Sequence, residues 1–372
     1  MLRDDRMIKH YFVCANSSRG FINFFSNNLE GLKKVFILKG GPGCGKSTLM
    51  KKIGNTYDNM NFVVEFIHCS SDVDSLDGII IRKLGVAIVD GTAPHVIEPT
   101  APGALEEYVH LGTAWNIEQL EMNVDRIKEI QGEIKTYYTN VYEALRKGLK
   151  VHDEWEKYYI AEMDFHKADS IAEDLKYLVI DKNGIKRNDC EGKCFHRFFD
   201  AMTPETSIDY IENLTEGIKT RYFIKGRPGS GKSSILKKIS GYAVNRGLDV
   251  EIYHCNFDPN SLDMVIIPSL SVCVFDSTPP HEYYPSREGD IIIDMYADCM
   301  TPGTDEKYAV EFEDIVQRYS DCMKEARMNL GMAKCLHDDL EKYYINATDF
   351  SKITNIQKDL MNRIQRIYLS QI

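Results

Sequence analysis

The chain is one unit written twice. Displaced against itself by 186 positions, Gly40–His95 falls on Gly226–His281 without a gap, and 26 of the 56 paired residues are identical. The match runs outward to His10 on His196, Phe12 on Phe198, and Glu30-Gly31-Leu32 on Glu216-Gly217-Ile218. Near the end of each half, His152-Asp-x-x-Glu-Lys-Tyr-Tyr-Ile160 is matched by His337-Asp-x-x-Glu-Lys-Tyr-Tyr-Ile345, and Asp164-Phe165 by Asp349-Phe350, now at an offset of 185. A period this long is domain-sized, so the repeat is a tandem duplication rather than a solenoid. The turn Asp181-Lys-Asn-Gly184 marks the expected boundary, with one domain at 1–183 and the second at 184–372.

Each half reads as an α/β unit. Tyr11–Ala15, Val35–Leu38, Val63–Cys69 and Val86–Asp90 are apolar runs of strand length, and Gly20–Leu32 and Ser47–Tyr57 read as helices. Strands alternating with helices predict a parallel sheet with helices on both faces. After His95 the period changes. Ile117, Leu120, Val124, Ile127, Ile130, Ile134, Tyr137, Val141 and Leu145 step by three and four, and a second helix is expected over about Trp155–Leu178. The second half repeats this over Val310–Leu369. Each segment is expected to form a long antiparallel helical hairpin, about 115–178 and 305–369. It is read equally as a layer on its own sheet or as a projecting arm for a protein partner. Trp155, Tyr158, Tyr159, Tyr343 and Tyr344 fit the core by their helical spacing.

Two segments fit the P-loop pattern G-x4-G-K-[ST]: Gly40-Gly41-Pro42-Gly43-Cys44-Gly45-Lys46-Ser47, continuing to Thr48, and Gly226-Arg227-Pro228-Gly229-Ser230-Gly231-Lys232-Ser233, continuing to Ser234. Each follows an apolar strand and opens a helix, as the motif requires. Glycines let successive backbone N–H groups wrap a phosphate, and the helix N-terminus adds partial positive charge. Lys46 and Lys232 are expected to reach the phosphates, and Ser47 and Ser233 to hold Mg²⁺. Asp90 and Asp276 end Val86-Ala-Ile-Val-Asp90 and Val272-Cys-Val-Phe-Asp276, and are expected to hold Mg²⁺ in the manner of a Walker B carboxylate.

The Glu that many ATPases carry after that Asp is missing, with Gly91 and Ser277 in its place. Candidates to orient the attacking water are the repeated polar residues at strand ends: His68, Asp72 and Asp77 with His254, Asp258 and Asp263, and Thr92 and His95 with Thr278 and His281. His95 and His281 are the expected catalytic histidines beside Lys46, Lys232, Asp90 and Asp276. Arg82, Arg19 and Arg287 could act as arginine fingers, but none is matched by arginine in the other copy. Asp72 and Asp258 also sit where small P-loop kinases bind an acceptor.

Composition narrows the classes. The net charge is −11, which argues against nucleic acid and anionic membranes as partners. No apolar run is long enough to cross a membrane, and Met1–Arg6 lacks the apolar stretch of a signal peptide. The ten cysteines include no C-x2-C pair, so a reduced cytoplasmic protein is expected. Cys190-x3-Cys194 beside His196 is a weak metal signature, and Cys44 is a small loop residue rather than a redox switch.

On its two glycine loops, the His-Cys pairs with Ser-Leu-Asp downstream, and the Asp-x-Thr-x-Pro-His segments, the chain resembles a bacterial, Firmicutes-type family of tandem P-loop ATP-binding proteins. That resemblance spans nearly the whole chain and implies ATP binding. The expectation is two tandem P-loop NTPase domains binding Mg·ATP, a slow ATPase coupling nucleotide occupancy to rearrangement of domains or helical arms. ATP is favoured over GTP because no Asn/Thr-Lys-x-Asp signature occurs. A kinase and an ATP-gated binding protein are the alternatives. An internal pseudo-dimer could stand in for a homodimer, and the oligomeric state is open.

Overall fold

A computed structural model describes residues 8–184 and 190–371; the opening Met1–Arg6 lies outside them. The strands of the first half are β1 (Lys9–Tyr11), β2 (Cys14–Ser17), β3 (Gly20–Asn23), β4 (Lys34–Lys39), β5 (Glu65–His68), β6 (Leu76–Ile81), β7 (Val86–Asp90) and β8 (Glu106–His110). Its helices are α1 (Phe25–Leu29), α2 (Lys46–Asn59), α3 (Ile117–Glu121), α4 (Val124–Ala161) and α5 (Phe165–Val179). The second half holds β9 (Cys194–Arg197), β10 (Asp200–Met202), β11 (Ser207–Asp209), β12 (Thr220–Lys225), β13 (Val250–His254), β14 (Leu262–Ile267), β15 (Val272–Asp276) and β16 (Asp290–Asp294). Its helices are α6 (Ile211–Thr215), α7 (Lys232–Asn245), α8 (Met295–Cys299), α9 (Thr304–Lys307), α10 (Ala309–Asn346) and α11 (Phe350–Leu369).

Among the described residues these build two six-stranded sheets of matching order, β1-β5-β6-β7-β4-β8 and β9-β13-β14-β15-β12-β16. The sheets are mixed rather than parallel. β6 and β14 each run antiparallel to both neighbours, while the remaining pairs are parallel. The reversal turns the N-terminal end of β6 toward the C-terminal ends of β4 and β7. Asp77 therefore lies across the ladder from Asp90, one step beyond the pair Gly78 and Val89.

Strand alternation divides the burial. Phe36 and Leu38 face one side with Leu49, Met50, Ile53 and Tyr57 of α2, whereas Val35 and Ile37 face the other. The sequence reading put helices on both faces, but this second face is not covered by a helix layer of its own half. It joins the corresponding face of the other sheet, with Phe223, Met264, Ile266 and Phe275, in one shared core. In a second cluster of Phe12, Ala15, Phe198 and Ala201 the two halves meet reciprocally. The Phe12 N–H donates to the Phe198 carbonyl at 2.9 Å, and the Phe198 N–H to Phe12 at 2.8 Å. Edge strands are shielded in the same reciprocal way. The Asn213 side chain accepts from the His10 N–H and donates to the Ile8 carbonyl, and Asn27 does the same for His196 and Cys194. Each amide occupies edge groups that could otherwise recruit a foreign strand.

The helical segments also depart from expectation. The first is not divided before Trp155: α4 is one helix of 38 residues, and so is α10. Nor are they hairpins closed within one half. α4 pairs with α10 antiparallel, so that Ile127 and Ile130 meet Leu340, Val141, Ala144 and Leu145 meet Ala326 and Leu330, and Tyr159 meets Phe312 and Ile315. Alanines at the midpoint allow close approach. Beyond each long helix the chain crosses over. Ala172, Leu175 and Val179 of α5 share a core with Ile224, Ile235 and Ile239 of the second half, and Ile353, Leu360 and Ile364 of α11 share one with Phe36, Leu38 and Leu49 of the first. The connecting turns are bonded across the halves: the Asp349 N–H donates to the Ala114 carbonyl at 2.8 Å, and the Asp164 N–H to Cys299 at 2.7 Å. The sequence repeat and the packing unit thus do not coincide. Each sheet is closed by the other half's last helix.

Candidate functional site

Each glycine loop bridges β4 or β12, the strand next to the edge of its sheet, and the helix that packs on it. In the first loop Gly43 and Gly45 adopt φ of 67° and 89°, and in the second Gly229 and Gly231 adopt 74° and 82°. These left-handed conformations admit glycine most readily. They aim the loop at the start of α2 or α7, whose first N–H groups lack helical partners.

The lysines are turned back on their own loops. Lys46 Nζ donates to the carbonyls of Gly40 (2.9 Å) and Gly41 (2.8 Å) and lies 3.5 Å from Asp90 Oδ2. Lys232 donates to Arg227 (3.0 Å) and Gly226 (3.4 Å) and lies 3.5 Å from Asp276 Oδ2. Each following serine ties the loop to the antiparallel strand: Ser47 Oγ accepts from the Leu76 N–H at 3.0 Å, and Ser233 Oγ from Leu262 at 2.9 Å. Each serine keeps its own proton and a lone pair for a cation. Asp90 and Asp276 accept from the hydroxyls of Thr92 and Thr278 through Oδ1, which leaves Oδ2 toward the lysine. The residues present fit a Mg²⁺ held by Ser47 and Asp90, or by Ser233 and Asp276, once the lysine turns away.

Behind these carboxylates lie Asp77 and Asp263. Asp77 is buried, its Oδ2 accepts no hydrogen bond, and it stands 3.4 Å from His95 Nε2. Burial pushes its carboxyl up to about 6; the neighbouring Asp90 charge adds to the rise and His95 opposes it. Burial and Asp276 likewise raise Asp263. The histidines expected to be catalytic back these acids. His95 Nδ1 lies 3.3 Å from Cys14 Sγ and its Nε2 3.4 Å from Asp77 Oδ2, so Cys14, Asp77 and His95 form a buried group whose ligand-type atoms lie within 4.8 Å of one another. His281 stands between Asp200 and Asp209, at 3.0 Å from each. Burial opposes its charge, but the two carboxylates outweigh burial and raise it to about 10. Among the described residues no hydrogen bond joins either ring to a glycine loop.

The other strand-end candidates have structural partners. His68 donates from Nδ1 to the Val73 carbonyl at 2.7 Å and accepts from His10 at 2.8 Å; His254 is held the same way by Pro259 and His196. Burial lowers both His68 and His254 to about 4, so both are neutral. His196 is therefore engaged by His254 rather than gathered with Cys190 and Cys194, and among the described residues no metal-like cluster includes them. Cys44 is buried, and burial raises its thiol. Of the three candidate arginines, Arg82 binds Glu65 and Arg287 binds carbonyls of its own half. Arg19 crosses to the other half and bonds Asp258 at 2.6 Å.

Sequence reasoning missed the covering of the loops. A methyl group placed on Gly41 would lie 2.6 Å from the ring of Tyr344, and one on Gly43 would lie 2.8 Å from Ile345 Cγ1 and 3.0 Å from the Glu341 carbonyl oxygen. A methyl on Gly229 would lie 2.9 Å from the Glu156 carbonyl oxygen and 3.0 Å from Ile160 Cγ1. The end of α10 thus lies on the first loop and the end of α4 on the second. Both use the repeated His-Asp-x-x-Glu-Lys-Tyr-Tyr-Ile segment, whose polar residues at matched positions were the available signal. Arg227, where the first loop has Gly41, instead bonds Asp305 at 3.0 Å through Nε, and Tyr159 bonds the same carboxylate at 2.9 Å.

Among the described residues no helix is long and apolar enough to cross a membrane. No protein-family model, curated protein or solved structure matches the chain.

Proposed function

We propose that the protein binds Mg·ATP at its two glycine loops and hydrolyses it slowly in the cytoplasm, with occupancy coupled to the packing of α4 against α10. One observation carries this reading. Each loop brings a lysine within 3.5 Å of a strand-end carboxylate, beside a serine hydroxyl and a helix N-terminus, and the arrangement occurs twice with the same lysine-to-carboxylate distance. In this reading the N–H groups of each loop hold the phosphates, and Lys46 or Lys232 leaves the loop carbonyls to meet the γ-phosphate. Ser47 and Asp90, or Ser233 and Asp276, would hold a Mg²⁺, which would supply charge neutralisation for the phosphates. ATP rather than GTP is the proposed nucleotide, from the missing GTPase signature.

The kinase alternative loses support from the pairing of its acceptor candidates: Asp72 faces Lys334 at 3.9 Å and Asp258 faces Arg19. An ATP-gated binding protein draws support from the lysines folded onto their own loops under the opposite helix. ADP production from Mg·ATP by the wild type, Lys46→Ala, Lys232→Ala and the double variant separates these. Turnover that the double variant loses supports the ATPase. Lysine-dependent binding without turnover supports the gated protein.

A further inference from the structure

We propose that each glycine-loop site is completed by the other half: Glu341 and His337 of α10 serve the loop at 40–47, and Glu156 and His152 of α4 serve the loop at 226–233. This inference rests on the hydrolytic reading above and supplies the group that Gly91 and Ser277 leave missing.

Three relationships support it. First, each glutamate lies against the opposite loop: a methyl on Gly43 would stand 3.1 Å from Glu341 Cβ, and one on Gly229 3.3 Å from Glu156 Cβ. Second, each glutamate carries a histidine one turn earlier on the same face, with Nδ1 to Oε1 at 3.8 Å in both copies. Third, Asp338 joins His337 and Glu341, and Asp153 joins His152 and Glu156, with the side-chain nitrogen and oxygen atoms of each group within 4.8 Å of one another. Burial lowers both histidines, and the glutamate beside each opposes that shift. The stripe on α10 extends along the same helix to Lys334, which meets Asp72. At the second site Arg19 supplies the equivalent cation to Asp258 from a different element. Retention of this arrangement at both sites, although the cations come from unrelated positions, points to a requirement of the site rather than of the helix.

The step is hydrolysis. The oxygen of water bonds to the γ-phosphorus as the bond from that phosphorus to the β–γ bridging oxygen breaks. The water's proton passes to the glutamate carboxylate, the bridging oxygen leaves with ADP, and the proton is then released to solvent. Histidine is a positioning residue that orients the carboxylate.

The test separates the two halves. In Lys232→Ala the remaining turnover belongs to the loop at 40–47, and adding Glu341→Gln is expected to lower kcat by about 10²–10⁴-fold with ATP affinity unchanged. In Lys46→Ala, adding Glu156→Gln should do the same. His337→Ala should lower kcat less than Glu341→Gln, and unchanged melting temperatures in all variants identify the losses as chemical. If Glu156→Gln instead abolishes turnover in Lys232→Ala, each glutamate serves its own half and the inference fails. Turnover that neither glutamine affects also overturns it, while the hydrolytic reading stands. Absence of ADP production by the wild type overturns the hydrolytic reading itself, and the inference with it.

Discussion

Tyr344 lies flat against Gly41 of the other half's glycine loop, so closely that a methyl group on Gly41 would sit 2.6 Å from both Cδ1 and Cε1. The contact makes α10 sensitive to the state of that loop. In the proposed coupling, movement of the loop around a phosphate would displace Tyr344, and the helix pair α4–α10 would carry that displacement to the second loop.

The first prediction follows directly. Gly41→Ala is expected to destabilise the fold by about 1–3 kcal/mol through overpacking. Tyr344→Ala in the same chain should recover most of that loss. Thermal unfolding of both singles and the double forms the cycle, and additivity would show that the two residues do not touch.

The crossover of α5 and α11 predicts the behaviour of the separated halves. A chain ending near residue 183 lacks α11, so the face bearing Phe36, Leu38 and Leu49 loses Ile353, Leu360 and Ile364. Such a half should aggregate or dimerise, with its own α5 taking the vacant place. Light scattering after size exclusion measures this; a stable monomer would contradict it. Leu360→Ala in the full chain should cost about 2–5 kcal/mol.

Between the halves, fully buried Arg197 stands 3.2 Å from both Glu65 and Glu251, and Lys9 reaches Glu251 at 2.5 Å. Burial alone would raise Glu251, but Lys9 and Arg197 outweigh burial and lower it from 4.5 to about 2. A depressed carboxyl stabilises the fold above about pH 4.5, and that contribution, about 3 kcal/mol at most, is lost as pH falls toward 2. The stability difference between wild type and Glu251→Gln should therefore shrink over that window. Removing Arg197 with Arg197→Ala leaves buried carboxylates unpaired and should cost about 3–5 kcal/mol at pH 7.

Asp77 has the opposite sign. Its carboxyl is raised from 3.8 to about 6, so ionisation opposes folding: the penalty is absent below about pH 3.8, grows toward 6 and persists above. Asp77→Asn is expected to stabilise the protein by about 1–3 kcal/mol at pH 7 and to leave it unchanged near pH 3.5. Denaturant titrations at the two pH values test this. Lower turnover in the same variant would place the strain at the site by design of the fold.

Much of this was legible in the sequence. The repeat, the strand–loop–helix context of Gly40–Ser47 and Gly226–Ser233, and the strand-end Asp90 and Asp276 all fall where the residue pattern put them. β6 was not read, because Leu76–Ile81 is buried along its length and carries no period to mark a strand, still less its direction. The crossover was hidden for a different reason. The apolar stripe of Ile353, Leu360 and Ile364 states that a face is buried, not which half buries it. The aromatic residues of α4 and α10 were assigned to the core by the same spacing. Tyr159 is core, yet Tyr344 lies on a glycine loop, and the polar repeat His-Asp-x-x-Glu around them was the feature that core packing could not explain.

The most direct test is the stoichiometry of Mg·ATP binding by calorimetry. The account predicts two sites per chain in the wild type, one in Lys46→Ala, one in Lys232→Ala and none in the double variant. Two sites retained in the double variant, or none in the wild type, would contradict it.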